Sequence, residues 1–229
     1  ASGDLHASNL MRELKLKDVN ADFRFWGGDL MLEQGGVLIK HYRDLAFMGF
    51  VEVLMNIRTI ARNIRFCKKD LLDYQPDVLL LVDYPGFNMR IAEFAKKKGI
   101  RVVYYVSPQI WAWKQNRIKK IKRDVDEMMV ILPFEEAFYQ KHNFEVNYVG
   151  HPLLDAVKDN RLELNPKFKS ENKLSEKPII ALLPGSRRQE ISTTLPLMAK
   201  LPAQFPEYQF VIAATKQHSA TYYESFMKG

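Results

Sequence analysis

Two stretches of the sequence set a chemically useful side chain where an apolar run ends. The run Val78-Leu79-Leu80-Leu81-Val82 stops at Asp83-Tyr84-Pro85-Gly86. Asp83 therefore lies just past the carboxyl end of a buried strand, the edge of an open α/β sheet where ligands bind. A carboxylate there could take a proton from a sugar hydroxyl, given hydrogen-bond reach and a pKa held near working pH. An aspartate that only caps the turn at Pro85-Gly86 would read the same way. The second stretch is Pro184-Gly185-Ser186-Arg187-Arg188-Gln189-Glu190, a loop expected between a strand and a helix. Free backbone N–H groups at such a turn, beside the Arg187 guanidinium, could dock a phosphate, which makes it a candidate diphosphate site. An ordinary strand-to-helix turn, with Gly185 at the bend and Ser186 near the N-cap, explains it equally well. Neither a Walker spacing nor a dinucleotide-type glycine triplet is present, so ATPase and dehydrogenase chemistry lose support.

Other residues invite weaker readings. Over residues 43–72 the spacing predicts one amphipathic helix, with Phe50, Leu54, Ile57, Ala61 and Ile64 on one stripe and Arg58, Arg62, Arg65 and Lys69 on a neighbouring face. Met48, Val51 and Met55 fall off that stripe, and Phe47 adds to the apolar crowding at its start. An apolar patch bordered by arginines is what a helix needs to dip among lipid headgroups, or to hold an acyl chain beside a phosphate. Residues 111–123 predict a basic helix after Trp111 and Trp113. Ile118 and Ile121 give it a narrow buried stripe, so its lysines read as a solvated face with some attraction for anionic lipid or substrate phosphate, not as a nucleic-acid site. Asp124-Val125-Asp126 looks like a metal-binding acidic triplet but precedes a strand, the wrong end for a sheet-edge ligand. The five histidines show no metal-ligand spacing. No metal site and no cofactor are expected. The single cysteine, Cys67, sits in an apolar stretch and reads as a small core residue.

The elements that must position these residues follow an α/β rhythm. Strands are predicted at 78–82, 100–106, 127–132 and 146–149, with helices at 89–98, 111–123 and 133–142 between them, the pattern of a doubly wound parallel sheet. A polar, lysine-rich stretch at 162–177 reads as a linker. The pattern then restarts with a strand at 179–183, a helix at 191–203 and a strand at 209–213. The expected organisation is a first domain over 1–161, the linker, and the start of a second domain over 178–229. That second domain is expected to be incomplete, because a sheet of two strands is marginal alone. With 229 residues, 47% of them hydrophobic, the chain can bury a core. A net charge of +7 favours an anionic partner. No apolar run of spanning length and no leader peptide are visible, so a cytoplasmic location is expected.

Several segments together resemble the lipid-A-disaccharide synthases: Ala1-Ser2-Gly3-Asp4, the stretch from Leu45 to Leu54, Asp83-Tyr84-Pro85-Gly86-Phe87-Asn88, Val106-Ser107-Pro108-Gln109-Ile110-Trp111-Ala112-Trp113, Leu132-Pro133-Phe134-Glu135, Gly150-His151-Pro152 and Leu183-Pro184-Gly185-Ser186-Arg187. The resemblance implies the GT-B architecture, two Rossmann-like domains facing a cleft. It also implies metal-free, inverting transfer of a diacylglucosamine unit from a UDP-linked donor to the C6 hydroxyl of diacylglucosamine 1-phosphate. In this resemblance Asp83 matches the family's essential aspartate, a candidate general base. Arg187, within the loop of Gly185, Ser186 and Glu190, matches the arginine thought to bind the donor's phosphates. Ser2, Gly3 and Asp4, taken with Asn88, match a cleft loop. Phe47, Met48, Val51, Leu54, Met55 and Arg58 match the surface assigned to membrane and acyl-chain contact. The implied location is peripheral, on the anionic inner face of the inner membrane.

Overall fold

Strands form in this chain where β-branched and long apolar residues run together, and the helix that follows each one covers the apolar face it leaves. The computed structural model describes residues 2–44, 57–159, 165–215 and 218–227. The chain divides into two compact units, residues 1–160 and 161–229.

The first unit opens with α1 (Ser2–Lys17), β1 (Arg24–Gly27), α2 (Asp29–Glu33) and β2 (Val37–His41). It continues through α3 (Ile57–Tyr74), β3 (Val78–Val82), α4 (Pro85–Lys97), β4 (Arg101–Tyr105), α5 (Ile118–Asp124), β5 (Glu127–Val130), α6 (Pro133–Gln140), β6 (Asn147–Tyr148) and α7 (Leu153–Asp159). Strands β3, β4, β5 and β6 form one parallel sheet in chain order, and β1 and β2 form a separate parallel pair. Register pairs Val82 with Tyr105 and Val130 with Tyr148. All four carboxyl ends therefore lie along one edge, and the residues that follow them, Asp83, Val106, Ile131 and Val149, border it.

The sheet is held by a core in which Ala92 and Ala95 of α4 and Ile118 and Ile121 of α5 pack against Leu81, Val102, Tyr104, Met128 and Val130. Ala92 and Ala95 are fully buried. Their methyl side chains let the α4 backbone lie close on β3 and β4, which fixes where the first turn of α4 sits beside Asp83. Cys67 and Leu71 of α3 pack with Ile91 of α4. A third cluster joins Ala7 and Met11 of α1 to Phe25 and Met31.

The second unit comprises α8 (Phe168–Glu171), β7 (Ile179–Leu182), α9 (Arg188–Met198), α10 (Leu201–Gln204), β8 (Gln209–Ile212) and α11 (Ala220–Glu224). β7 and β8 are parallel, and Ile191, Leu195 and Tyr223 form the buried core beside them. The α/β class with parallel sheets is the one expected from the sequence.

Several boundaries differ from expectation, each for a local reason. Of the helix expected over 43–72, residues 45–56 lie outside the described residues, Ile57–Tyr74 are helical, two residues beyond the expected end, and Tyr42–Asp44 form a 3-10 turn. Its fully buried residues are Asn63, Cys67 and Leu71; of the expected stripe, Ile64 packs beside them and Ala61 is half-buried, while Ile57 is 60% exposed. The basic helix expected from residue 111 starts at Ile118, because Lys114 has φ +57° and a left-handed residue cannot sit inside a right-handed helix. The helix expected over 191–203 is two. α9 begins three residues early, and Pro202, which has no N–H to donate, lies in the first turn of α10 instead of continuing α9. The sequence does not announce the β1–β2 pair, since the strands have four and five residues and are only partly buried.

Candidate functional site

Asp83 and Tyr84 are consecutive non-glycine residues in the left-handed region, with φ of +48° and +44°. Such a conformation costs on the order of 1–3 kcal/mol per residue and persists only where the surroundings over-determine it. They do so here. The Asp83 N–H donates to the Tyr105 carbonyl at 3.2 Å. The Asp83 carbonyl accepts from the Asn88 Nδ2 at 2.7 Å and from the Tyr104 hydroxyl at 2.6 Å. Asn88 also donates to the Val82 carbonyl at 3.2 Å. The backbone of Asp83 is thus pinned by β4 and α4, and the residue itself is exposed at the carboxyl edge of the sheet. The alternative of a simple turn cap finds no support, because α4 has no side-chain cap and its first helical position is taken by Pro85. Asn88, expected in a cleft loop, lies instead in the second turn of α4, where its amide fixes the Asp83 backbone.

Ser2, Gly3 and Asp4 were also expected in a loop, and all three lie in the first turn of α1. Asp4 is buried, and its carboxylate accepts from the backbone N–H groups of Gly28 at 2.8 Å, Leu30 at 3.2 Å and Met31 at 3.3 Å. It satisfies the orphan donors at the start of α2, where negative charge is favoured. Two residues further along α1 is His6, also buried, with its Nδ1 sealed from solvent and without a hydrogen-bond partner among the described residues. Burial lowers the His6 pKa, the nearby charge of His151 lowers it further, and that of Asp83 opposes both. His6 is therefore biased toward its neutral form and lies within electrostatic reach of Asp83 and His151. Tyr105, at the end of β4, has its hydroxyl pKa raised by burial and then by the charge of Asp155.

Along the same edge, two of the sequence segments prove to be structurally linked. The Ser107 hydroxyl donates to the Glu135 Oε1 at 2.6 Å, and the Glu135 Oε2 accepts from the N–H groups of Ile131 at 3.2 Å and Leu132 at 2.9 Å. Both side chains are buried. This clasp locks the loop after β4 to the first turn of α6. Sequence reasoning assigned no role to His6, His151 or Glu135. The segments around His151 and Glu135 were visible, but only the fold brings them to the edge occupied by Asp83.

In the second unit, the loop after β7 turns at Gly185, whose φ is +103°, and where a Cβ would come within 2.7 Å of the Glu190 side chain. Glu190 is not in the loop as expected but in the first turn of α9. Its Oε2 accepts from the N–H groups of Ser186 at 3.0 Å and Arg187 at 3.1 Å, and its Oε1 from the Arg187 guanidinium at 3.2 Å. Those N–H bonds, with the Arg187 charge, hold its pKa below the usual carboxylate value. The two N–H groups an incoming phosphate would use are thus already engaged, and Glu190 acts as the cap of α9. Arg187 and Arg188 remain as cations at the loop, Arg188 lying over the Tyr222 ring at 5.5 Å.

Of the residues expected to meet lipid, Arg58 is exposed on α3. Phe47, Met48, Val51, Leu54 and Met55 lie outside the described residues. A shallow groove of about 330 Å³ on α3 is lined by Ile57, Ile60, Ala61, Ile64 and Arg65, with Arg90 of α4. No helix among the described residues is long and apolar enough to cross a membrane.

Comparison with known proteins agrees with the sequence segments. The sequence model of a family described as lipid-A-disaccharide synthetase matches residues 1–227. A lipid-A-disaccharide synthase of Trichlorobacter lovleyi is 44% identical over 216 residues, which is 93% of this chain and 56% of that protein. One of Coxiella burnetii is 43% identical over 215 residues, 92% of this chain and 57% of that protein. The chain thus spans a little over half the length of the curated relatives it matches. Among solved structures, a UDP-GlcNAc 2-epimerase from Neisseria meningitidis bound to UDP-GlcNAc superposes with a TM-score of 0.63 at 12% identity, covering 98% of this chain and 66% of that one. A putative UDP-N-acetylglucosamine 2-epimerase from Listeria monocytogenes gives 0.56 at 11%, covering 98% and 61%. These last two likenesses speak for the fold, the α/β fold of GT-B type. The segments that carry the resemblance, the exposed aspartate they fix at the sheet edge and a match over residues 1–227 lead to one conclusion: the chain belongs to the lipid-A-disaccharide synthase family.

Proposed function

We propose that this protein is an inverting glycosyltransferase that joins a diacylglucosamine unit from a UDP-linked donor to the C6 hydroxyl of diacylglucosamine 1-phosphate, releasing UDP. The observation that carries the reading is the strained, pinned Asp83 presenting an exposed carboxylate at the carboxyl edge of the sheet in a member of this family. In the proposed reaction Asp83 takes the proton of the acceptor hydroxyl. The freed oxygen attacks the anomeric carbon from the face opposite the leaving group, and the carbon–oxygen bond to the diphosphate breaks with its electron pair going to UDP. General-base help of this kind contributes typically about 10²- to 10⁴-fold. Arg187, with Gly185 and Ser186 shaping its loop, binds the donor's diphosphate and stabilises its growing charge. Glu190 supports that loop. No metal ion takes part in this scheme.

We further propose that the protein works at the anionic inner face of the inner membrane. Support comes from the arginines and the two lysines along α3 and from the apolar groove beside Arg65 and Arg90. Each basic residue near an anionic surface contributes about 1 kcal/mol.

The test is transfer by the full-length protein from UDP-diacylglucosamine to diacylglucosamine 1-phosphate, with Asp83→Asn alongside. Asparagine tolerates the left-handed backbone, so the variant should keep its Tm while kcat falls by about 10² or more. Wild-type protein that releases no UDP and makes no disaccharide defeats the functional reading. A fully active Asp83→Asn variant defeats the role of Asp83 alone.

A further inference from the structure

The segment Gly150-His151-Pro152 has no part in the scheme above, yet the fold brings it to the edge where Asp83 stands. Val149 continues β6 by donating to the Val130 carbonyl at 3.0 Å, and Gly150, with φ of +79°, turns the chain into His151. The His151 ring then accepts the backbone N–H of Leu153 on Nδ1 at 3.2 Å. An imidazole nitrogen that accepts a hydrogen bond carries no proton, so in neutral His151 the proton is on Nε2. The turn thus selects a single tautomer and leaves Nε2–H as a donor. Among the described residues, no hydrogen bond uses it. His6 lies within electrostatic reach of both His151 and Asp83, and its own Nδ1 is buried without a partner among the described residues.

We infer that His151 is a further substrate-binding residue, whose Nε2–H donates to an oxygen of the sugar acceptor at the edge that carries Asp83. The inference rests on the synthase reading given above. The chemical class follows from the company His151 keeps. The edge offers a carboxylate from Asp83, a half-buried hydroxyl from Tyr105 and the Nε2–H of His151. Mixed donors and acceptors of this kind match the hydroxyls and ring oxygens of a sugar. The competing role for His151 is purely local, with Nδ1 holding the turn into α7.

Two substitutions separate these roles, because the Oδ1 of asparagine replaces Nδ1 and the Nε2 of glutamine replaces Nε2. His151→Asn keeps the acceptor for the Leu153 N–H but leaves no donor at the Nε2 position, its shorter amide N–H2 lying elsewhere, while His151→Gln keeps a donor near the Nε2 position. The full-length protein is assayed with each substrate varied in turn, and Tm is recorded for both variants. The expected result is a fall of at least tenfold in kcat/KM for the acceptor sugar in His151→Asn, with the KM for the UDP-linked donor and Tm near wild type. His151→Gln should stay within about threefold of wild type. Equal activity in His151→Asn and wild type overturns the inference, as does an equal loss in both variants or a loss confined to the donor's KM. A Tm loss in His151→Asn as large as that of His151→Ala also overturns it. Wild-type protein inactive with both substrates would instead count against the synthase reading itself.

Discussion

At Asp83 the residue type, the backbone and the neighbours agree on a single use. Aspartate and asparagine are the non-glycine residues that most readily enter the left-handed region. The Tyr104 hydroxyl and the Asn88 amide both hold the Asp83 carbonyl, so a change at either should misplace the carboxylate without removing it. Cys67 is the contrary case. It is buried against Leu71 and Ile91, and desolvation pushes its thiol pKa up to about 12, with the charge of Asp70 adding to the effect. The thiolate is the reactive form. The native protein should therefore react with a thiol reagent such as DTNB at pH 8 far more slowly than the urea-unfolded protein, and alkylation of native protein at that pH should leave activity unchanged. Fast native labelling would contradict the packing described for α3.

At the scale of elements, short helices depend on the groups that satisfy their ends. α2 has five residues and no side-chain cap of its own, and a carboxylate from α1 supplies three acceptor contacts to its first N–H groups. Asp4→Ala leaves those buried donors unsatisfied and should cost about 1–3 kcal/mol, read as a lower urea midpoint with unchanged slope. Asp4→Asn, which keeps one acceptor oxygen, should recover part of the loss. The same device recurs within α9, where Glu190 serves the N–H groups of Ser186 and Arg187. A carboxylate standing three residues into a helix is legible in the sequence as a capping signal. The Asp4 contact is not, because 24 residues separate it from Gly28 and only the fold closes that distance.

At the scale of the whole molecule, His6 couples folding to pH. Burial lowers its pKa in the folded state below the ordinary value of about 6.5. Below that pH the unfolded chain binds a proton that the native chain does not, so the contribution is complete above pH 6.5 and is lost as pH falls toward the lowered native value. Wild type should lose more stability between pH 7.5 and pH 5 than His6→Gln does, as judged by urea midpoints at the two values. An identical loss in both would place the imidazole in contact with solvent. By itself the sequence determined the α/β class, the strands expected at 78–82, 100–106, 127–132, 146–149, 179–183 and 209–213, whose ends the structure moves by no more than two residues, and the positions of Asp83 and Arg187 past strand ends, because buried parallel strands write themselves as apolar runs and the residue after each run falls at the binding edge. Only the tertiary structure decided that Ser2, Gly3 and Asp4 are helical, that Asn88 and Glu190 hold backbone groups, and that His151 shares an edge with Asp83, with buried His6 within electrostatic reach of both. Those facts depend on contacts between residues far apart in the chain, and local spacing and composition carry no record of which distant groups a side chain will meet once the sheet has formed.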